Sequence, residues 1–322
     1  MAVSSETLVQ VTTGVLPLAA NAHGRSGDVE RAAFLASTLH DRWRDDTPFR
    51  LIVVTPARDT AAVAAALEST PHVRIEHWTE EAFFGERDAF HGLPGWWKQQ
   101  IIKLVVPAVL RVGPYLTFDA DVACLRDIDG RTFVRDGRLM SQWYRQHRNG
   151  WWAATTRLLG QSYHPTASGF DVTPNVLHSD LSAHVIWRLA ASWLGLRGVA
   201  MTAVPGVIRR AATARLRHWY EEAQTRARAG QAIHEDTWTE YALYTLLSGD
   251  KLLQWHVKPT DDMPLLAHDL SVWFPDERER LCLYTPSMRP SAPFAVLQST
   301  SGVSLAEVKA AVGRLPRDKK HA

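Results

Sequence analysis

The sequence has few cysteines, little net charge and no long apolar run, and each shortage excludes a class of protein. Cys124 and Cys282 are the only cysteines among 322 residues, which excludes a disulfide framework and a four-cysteine zinc site and favours a reducing compartment. The formal net charge is +2, so charge predicts no nucleic-acid partner. The longest apolar stretch, residues 101–118, contains Lys103 and Arg111, so we expect no transmembrane segment. No basic segment precedes the first apolar residues, and we expect a cytoplasmic protein.

The order of the predicted elements indicates an α/β fold. Four strands alternate with three helices in the first part of the chain, which is typical of a mostly parallel sheet covered by helices on both faces. We predict strands at residues 8–12, 49–55, 73–77, 115–118 and 294–298. We predict helices at residues 28–43, 59–68, 97–110, 151–159, 182–193, 211–229, 237–247 and 305–312.

Two carboxylates follow the fourth predicted strand. Asp119 and Asp121 come directly after an apolar segment that ends at Phe118. Ligands of open α/β sheets bind outside the carboxyl ends of the strands. Mg²⁺ and Mn²⁺ prefer oxygen ligands, and substrate phosphates often complete their shell. The pair therefore indicates a metal site that handles a nucleoside diphosphate. The other interpretation is a solvated turn in which the two carboxylates cap the next segment.

Several segments, taken in order, resemble the GT-A glycosyltransferases, which use nucleotide-sugar donors, and more closely the bacterial DUF6492 family of glycosyltransferase-like proteins. The segments are GWWKQQ at 95–100, FDAD at 118–121, SGFDVTP at 168–174, WTEY at 238–241, SVW at 271–273 and VLQS at 296–299. The resemblance implies a Rossmann-like, mostly parallel sheet flanked by helices. It implies one continuous domain, with a nucleotide-sugar-binding half at residues 1–127 and an acceptor-binding half with a closing segment at residues 128–322.

The resemblance also implies that Asp119 and Asp121 hold Mn²⁺ or Mg²⁺ against the two phosphates of the donor. Asp121 is expected to bind the metal directly, and Asp119 to act through water or to contact the ribose. In several GT-A families a histidine completes the metal shell, whereas this chain carries Gln298 at that point, followed by Ser299, which is expected to contact the donor. The other candidates for the third ligand are His256 and His268.

Further residues are expected to contact the donor. Lys98 is predicted to reach the diphosphate as a point charge, with a solvent-facing lysine as the alternative. Ser168 and Gly169 fit a sugar-facing turn, because glycine lets the backbone approach a ligand closely. Asp171 is expected to bind sugar hydroxyls, and the alternative is a plain turn before a strand. Lys103 interrupts an apolar run, so it either snorkels or has a function.

Glu240 is the preferred candidate for the general base, and Asp236 is the second. An inverting transferase needs a carboxylate that deprotonates the acceptor hydroxyl. The two residues are four apart, so they can share one side of a helix start. Asp236 also fits a helix N-cap.

These expectations predict a metal-dependent glycosyltransferase. It moves a sugar from a UDP-activated donor, with GDP as the less favoured base, to a hydroxyl of a glycan, a peptide or a small molecule. Two other functions stay open. One is a metal-dependent nucleotidyltransferase or phosphodiesterase, which also binds metals through carboxylates at strand ends. The other is a non-catalytic module that binds a sugar nucleotide.

Overall fold

A computed structural model describes most of the chain. The described residues are 9–20, 27–86, 88–145, 150–164, 166–170, 172–196, 203–229, 237–257 and 265–316. Two residues predicted to belong to the site, Asp171 and Asp236, lie outside them. Both cysteines are unpaired, with Cys124 buried and Cys282 exposed. Over the ranges given, every helix is too short or too polar to cross a membrane.

Strands and helices alternate through the first part of the chain, as the sequence predicts. The strands are β1 (Thr13–Pro17), β2 (Phe49–Thr55), β3 (Val73–Thr79), β4 (Pro114–Thr117), β5 (Val122–Cys124), β6 (Val134–Arg135), β7 (Arg138–Met140), β8 (Trp143–Arg145), β9 (Ser168–Phe170), β10 (Asn175–His178), β11 (His256–Val257) and β12 (Phe294–Val296). The helices are α1 (Asp28–Arg42), α2 (Thr60–Ala66), α3 (Glu80–Phe84), α4 (Gly95–Leu110), α5 (Gly150–Leu158), α6 (Ser179–Leu194), α7 (Gly206–Arg228), α8 (Glu240–Ser248), α9 (Leu252–Trp255) and α10 (Leu305–Val312).

A five-stranded sheet lies at the centre, with the strand order β10-β4-β1-β2-β3. Strands β4, β1, β2 and β3 run parallel, and β10 runs antiparallel to β4 at one edge. The apolar run of β2 explains its central place, because a parallel strand covered on both faces needs few polar residues. The predicted α/β fold with a mostly parallel sheet flanked by helices is confirmed.

The two faces of the sheet bury alternate residues of each strand, because successive strand side chains point to opposite sides. On one face, Ile52 packs in a core with α4, α6, α7 and α8. On the other face, Val53 packs in a core with α1 and α2. The central sheet is therefore a layer between two sets of helices.

One strand prediction is wrong. The first strand is β1, Thr13–Pro17, and not residues 8–12. Its sequence, TGVLP, contains Gly14 and Pro17, two residue types that are depleted in strands. Gly14 is nevertheless required there, because a Cβ on it would lie 2.6 Å from the Phe118 ring. A packing demand between β1 and the residue after β4 thus explains the unusual strand sequence.

The last part of the chain returns to the first half. β12 pairs antiparallel with β5, and a third core joins this pair to α10 and to the segment around Tyr284. This return places residues near 298 beside the segment that follows β4, which is the region of the candidate site.

Candidate functional site

The two aspartates lie where the topology of the sheet predicts a ligand. The chain proceeds from β1 to β2 and β3 on one side of β1, and β4 then pairs with the other side of β1. Such a reversal of strand order leaves a crevice at the carboxyl ends of the two diverging strands. Asp119 and Asp121 follow the carboxyl end of β4.

A cleft of about 200 Å³ opens at this point. Residues from α1, α4, the segment after β9, the segment between β4 and β5, the segment around Trp273 and the end of β12 line it. They are Asp28, Trp96, Gln99, Asp119, Ala120, Asp121, Val172, Thr173, Trp273, Val296, Gln298 and Ser299. Four of the predicted site residues, Asp119, Asp121, Gln298 and Ser299, therefore share one cleft.

The register of the β5–β12 pair brings Gln298 to the aspartates. Val296 lies opposite Val122, so in an antiparallel pair the residues after β12 lie beside those before β5. The Leu297 N–H donates to the Asp121 carbonyl at 2.8 Å. The Ser299 N–H donates to Asp121 Oδ2 at 3.3 Å. This arrangement fixes the Asp121 carboxylate against the backbone.

Arg31 of α1 holds the same segment from the other side. Its Nη1 donates to the Leu297 carbonyl at 2.7 Å, and its Nη2 to the Val303 carbonyl at 2.5 Å. Arg31 is 8% exposed, and its positive charge acts on Asp121. Helix α1 thereby fixes the position of Gln298 at the edge of the cleft.

Asp121 is a carboxyl group whose charged form is disfavoured in the ligand-free protein. Burial, followed by the charge of Asp119, raises the pKa of Asp121 to about 6, although the Ser299 N–H and Arg31 act in the opposite direction. Two close carboxylates in a partly buried site repel each other. A cation placed between them would relieve both the repulsion and the loss of hydration.

Asp119 contacts a buried lysine. Lys103 Nζ lies 2.7 Å from Asp119 Oδ1 and 3.3 Å from Glu240 Oε1, and its side chain is 1% exposed. Burial acts to lower the pKa of Lys103, but the two carboxylates outweigh it and hold the pKa above its usual range. The lysine is therefore charged, and its single charge serves two carboxylates.

The donor set of the cleft fits a hard divalent cation. Asp119 and Asp121 offer carboxylate oxygens and Gln298 offers an amide oxygen, which are ligand types that Mg²⁺ and Mn²⁺ accept. Within the part of the chain that the structure describes, no group of three His, Cys, Asp or Glu residues is placed to hold a metal. A cation in the cleft would thus draw its remaining ligands from substrate or water.

Other predicted residues lie outside the cleft lining. Lys98 forms an ion pair with Glu80 at 3.1 Å and lies over the Phe90 ring. Ser168 and Gly169 belong to β9, and a Cβ on Gly169 would lie 2.2 Å from the Trp152 ring. The glycine therefore allows close packing against Trp152, and its predicted contact with the donor stays a prediction.

The candidate base Glu240 is 1% exposed and is absent from the cleft lining. Its carboxylate contacts Lys103, and burial raises its pKa while Lys103 lowers it. The structure places Glu240 behind Asp119, one side chain further from the cleft.

The two histidines considered as metal ligands are engaged elsewhere. His256 is fully buried between Ser141 Oγ, at 2.7 Å from Nδ1, and Tyr244 OH, at 2.9 Å from Nε2. His268 contacts the Tyr144 hydroxyl. Neither lines the cleft, whereas Gln298 does.

Several further side chains line the cleft beside the predicted site residues. Trp96 lines the cleft and stacks on Trp151 with ring centroids 5.3 Å apart. Gln99, Thr173 and Trp273 also line it. These four residues all occur within the segments that carry the resemblance. Those segments are therefore the feature of the sequence that indicates them as cleft residues.

Comparison with solved structures finds similarity over almost the whole chain at low identity. Mouse xyloside xylosyltransferase 1 in its apo form is 9% identical, with a TM-score of 0.47, and the match covers 91% of this chain and 99% of that chain. The galactosyltransferase LgtC in complex with donor and acceptor sugar analogues is 13% identical, with a TM-score of 0.43, covering 96% and 98%.

Comparison with curated proteins finds no match. The resemblance stated from the sequence segments is confirmed by a family model that matches residues 10–317, which is nearly the full length. The chain therefore belongs to DUF6492, a family of unknown function.

Proposed function

We propose that the protein is a metal-dependent glycosyltransferase of the GT-A type. It transfers a sugar from a nucleoside-diphosphate sugar, with UDP preferred over GDP, to a hydroxyl of an acceptor. The observation that carries the proposal is the convergence of Asp119, Asp121, Gln298 and Ser299 in one cleft at the point where the strand order reverses. The two free thiols suit a reducing cytoplasm.

The cleft residues have different roles in binding the donor. Asp121, which is held by the Ser299 N–H, would hold the cation, and Gln298 would supply an amide oxygen from the opposite strand. A bound Mn²⁺ or Mg²⁺ supplies Lewis-acid stabilisation of the leaving diphosphate. Trp96 and Trp273 provide flat apolar walls for the sugar or the base.

The transfer breaks the bond between the anomeric carbon and the diphosphate oxygen, and the diphosphate leaves with the electron pair. A new bond forms between that carbon and the acceptor oxygen, and the acceptor proton passes to a carboxylate. The candidates for that carboxylate are Glu240, which contacts Lys103, and Asp236. The acceptor is a glycan, a peptide or a small molecule, and it approaches from the half that begins at residue 128.

The test compares Asp121→Asn with the wild type in a calorimetric titration of UDP in the presence of Mn²⁺. The wild type is expected to bind, and the variant is expected to lose about 10-fold or more in affinity, because an amide cannot replace the charge of the carboxylate. Asp136→Asn is the matched control, since Asp136 is an exposed turn residue with a φ of 51°, a conformation that asparagine tolerates.

The reaction products separate the proposal from its rivals. Incubation of the wild type with UDP-sugars and Mn²⁺ is expected to release UDP, either by transfer or by slow hydrolysis. Release of sugar 1-phosphate with UMP would point to a phosphodiesterase, and release of sugar 1-phosphate with transfer of the UMP group to an acceptor would point to a nucleotidyltransferase. Binding without any turnover across a panel of acceptors would point to a binding module.

A further inference from the structure

The Lys103 side chain is the most deeply buried charge beside the cleft. The residue lies in α4 and is 1% exposed, and its ammonium lies close to three oxygen atoms. These are Asp119 Oδ1 at 2.7 Å, Glu240 Oε1 at 3.3 Å and Thr173 Oγ1 at 2.9 Å. A buried ammonium surrounded by two carboxylates and a hydroxyl group has little room to move.

Asp119 is anchored on the lysine and also borders the cleft. Its Oδ1 atom is buried and lies 2.7 Å from Lys103 Nζ, yet the side chain as a whole is 38% exposed and lines the cleft. The exposed surface therefore belongs to the other atoms of the side chain. Lys103 thus holds the carboxylate by one oxygen while the side chain still borders the cleft.

Glu240 is held from behind by the start of α8. Its N–H donates to Gln100 Oε1 at 3.1 Å, and the helix is capped by Thr239, whose side chain accepts from the Ala242 N–H. A carboxylate in the first turn of a helix also interacts favourably with the helix dipole. Its position is thus set by α4 and α8, independently of any ligand.

A chain of hydroxyl groups fixes the remaining side of the ammonium. Thr173 Oγ1, which accepts from Lys103, lies 2.8 Å from Tyr241 OH, and Tyr241 OH lies 2.7 Å from Thr117 Oγ1 at the end of β4. Thr173 itself lines the cleft. The same network therefore connects the lysine to the strand that delivers the two aspartates.

The local charge count explains the role of Glu240. If Lys103 faced Asp119 alone, a full ion pair would neutralise the carboxylate and compete with a cation for it. Because Glu240 shares the ammonium, the group Lys103, Asp119 and Glu240 retains a net charge of −1 when all three are ionised. That surplus, together with Asp121, is available to a divalent cation.

We propose that Lys103 and Glu240 are positioning residues that aim Asp119 into the cleft and, by sharing the lysine charge, keep Asp119 able to bind a divalent cation with its nucleoside diphosphate. This inference rests on the proposed function. It differs from the general-base role for Glu240, in which the carboxylate acts on the acceptor and has no part in binding the donor.

The decisive variant is Glu240→Gln, studied in the full chain by titration of Mn²⁺ with UDP present. Loss of the shared charge lets Lys103 neutralise Asp119, so the affinity is expected to fall about 10–100-fold, as is typical when an outer partner of a metal ligand is changed. Glu80→Gln is the matched control. Glu80 is 5% exposed and forms an ion pair at 3.1 Å with Lys98, which lies in α4 as Lys103 does. Its affinity is expected to equal that of the wild type.

A charge-balanced double variant separates charge sharing from a structural role. Lys103→Met with Glu240→Gln removes one positive and one negative charge, so Asp119 loses its competitor. The double variant is expected to recover part of the affinity that Glu240→Gln loses. A double variant as weak as the single one would overturn the proposal, since Glu240 would then act only through packing.

Two further outcomes are decisive. If the wild type binds Mn²⁺ and UDP while Glu240→Gln binds equally well but turns over slowly, Glu240 is the base and this inference fails alone. If the wild type does not bind, the proposed function fails first. Should Glu240→Gln not fold, the wild-type complex with Mn²⁺ and UDP decides, because departure of Lys103 from Asp119 or from Glu240 in that complex would overturn the proposal.

Discussion

Lys103 illustrates what a single residue reveals in the sequence and what it does not. Its position in an apolar run indicated either a snorkelling stem or a function. Its partners come from α8 and from the segments after β4 and β9, which are distant in the sequence. Since only the fold brings these groups together, the sequence located the unusual lysine but not the ion pairs that explain it.

The predicted site residues also divide into those that lie in the cleft and those that packing buries elsewhere. Asp119 and Asp121 were predicted from a local pattern, and both lie in the cleft. Glu240 was chosen from a local helix pattern, and the structure buries it on Lys103. A pattern along the chain reports which residues share an element, but burial depends on what packs against that element.

A buried histidine gives a prediction about pH. Burial lowers the pKa of His256 to about 3, whereas a histidine in the unfolded chain has a pKa of about 6.5. The unfolded state therefore takes up a proton first as the pH falls, and stability is lost from about pH 6.5 downward. This group is expected to remove about 2–3 kcal/mol of unfolding free energy between pH 7.5 and 4.5.

Urea unfolding at the two pH values, in the wild type and in His256→Gln, measures this contribution. The variant is less stable at pH 7.5 but is expected to show a flatter pH dependence, because the histidine that titrates only on unfolding is gone. His164→Gln, at an exposed position, serves as the control. If His256→Gln retains the full pH dependence of the wild type, the buried histidine is not its source.

At the scale of elements, local sequence patterns predict the bounds of a strand or helix well where its composition is typical of that element. The predicted bounds of β2 and α10 agree with the structure. β1 was misplaced because its glycine and proline contradict the usual strand composition, and only the contact of Gly14 with Phe118 explains them. Element prediction therefore failed where long-range packing, rather than local preference, selects the residue.

Strand β9 allows a test of a second glycine. A Cβ at Gly169 would lie 2.2 Å from Trp152 ring carbons and 3.1 Å from Thr245 Cγ2. Gly169→Ala is therefore expected to lower the unfolding free energy by about 1–3 kcal/mol, as overpacking does. Gly95→Ala is the control, since a Cβ at Gly95 meets nothing within 4 Å. Equal urea midpoints for Gly169→Ala and the wild type would contradict the packing explanation.

At the scale of the whole molecule, the site depends on two long-range pairings. The pairing of β4 with β1 opens the crevice, and the pairing of β12 with β5 brings Gln298 to Asp121. The alternation of elements predicted the first kind of arrangement. The second pairing joins segments far apart in the sequence, and local patterns contain no register information for such pairs.

The measurement that tests the account most directly is a crystal structure of the wild-type protein with Mn²⁺ and UDP. The account predicts that the ion lies in the cleft at the end of β4, in contact with Asp121 and Gln298 and bridging the two phosphates. Lys103 is predicted to remain on Asp119 and Glu240. An ion bound elsewhere, or a nucleotide bound without contact to the cleft aspartates, would contradict the central claim.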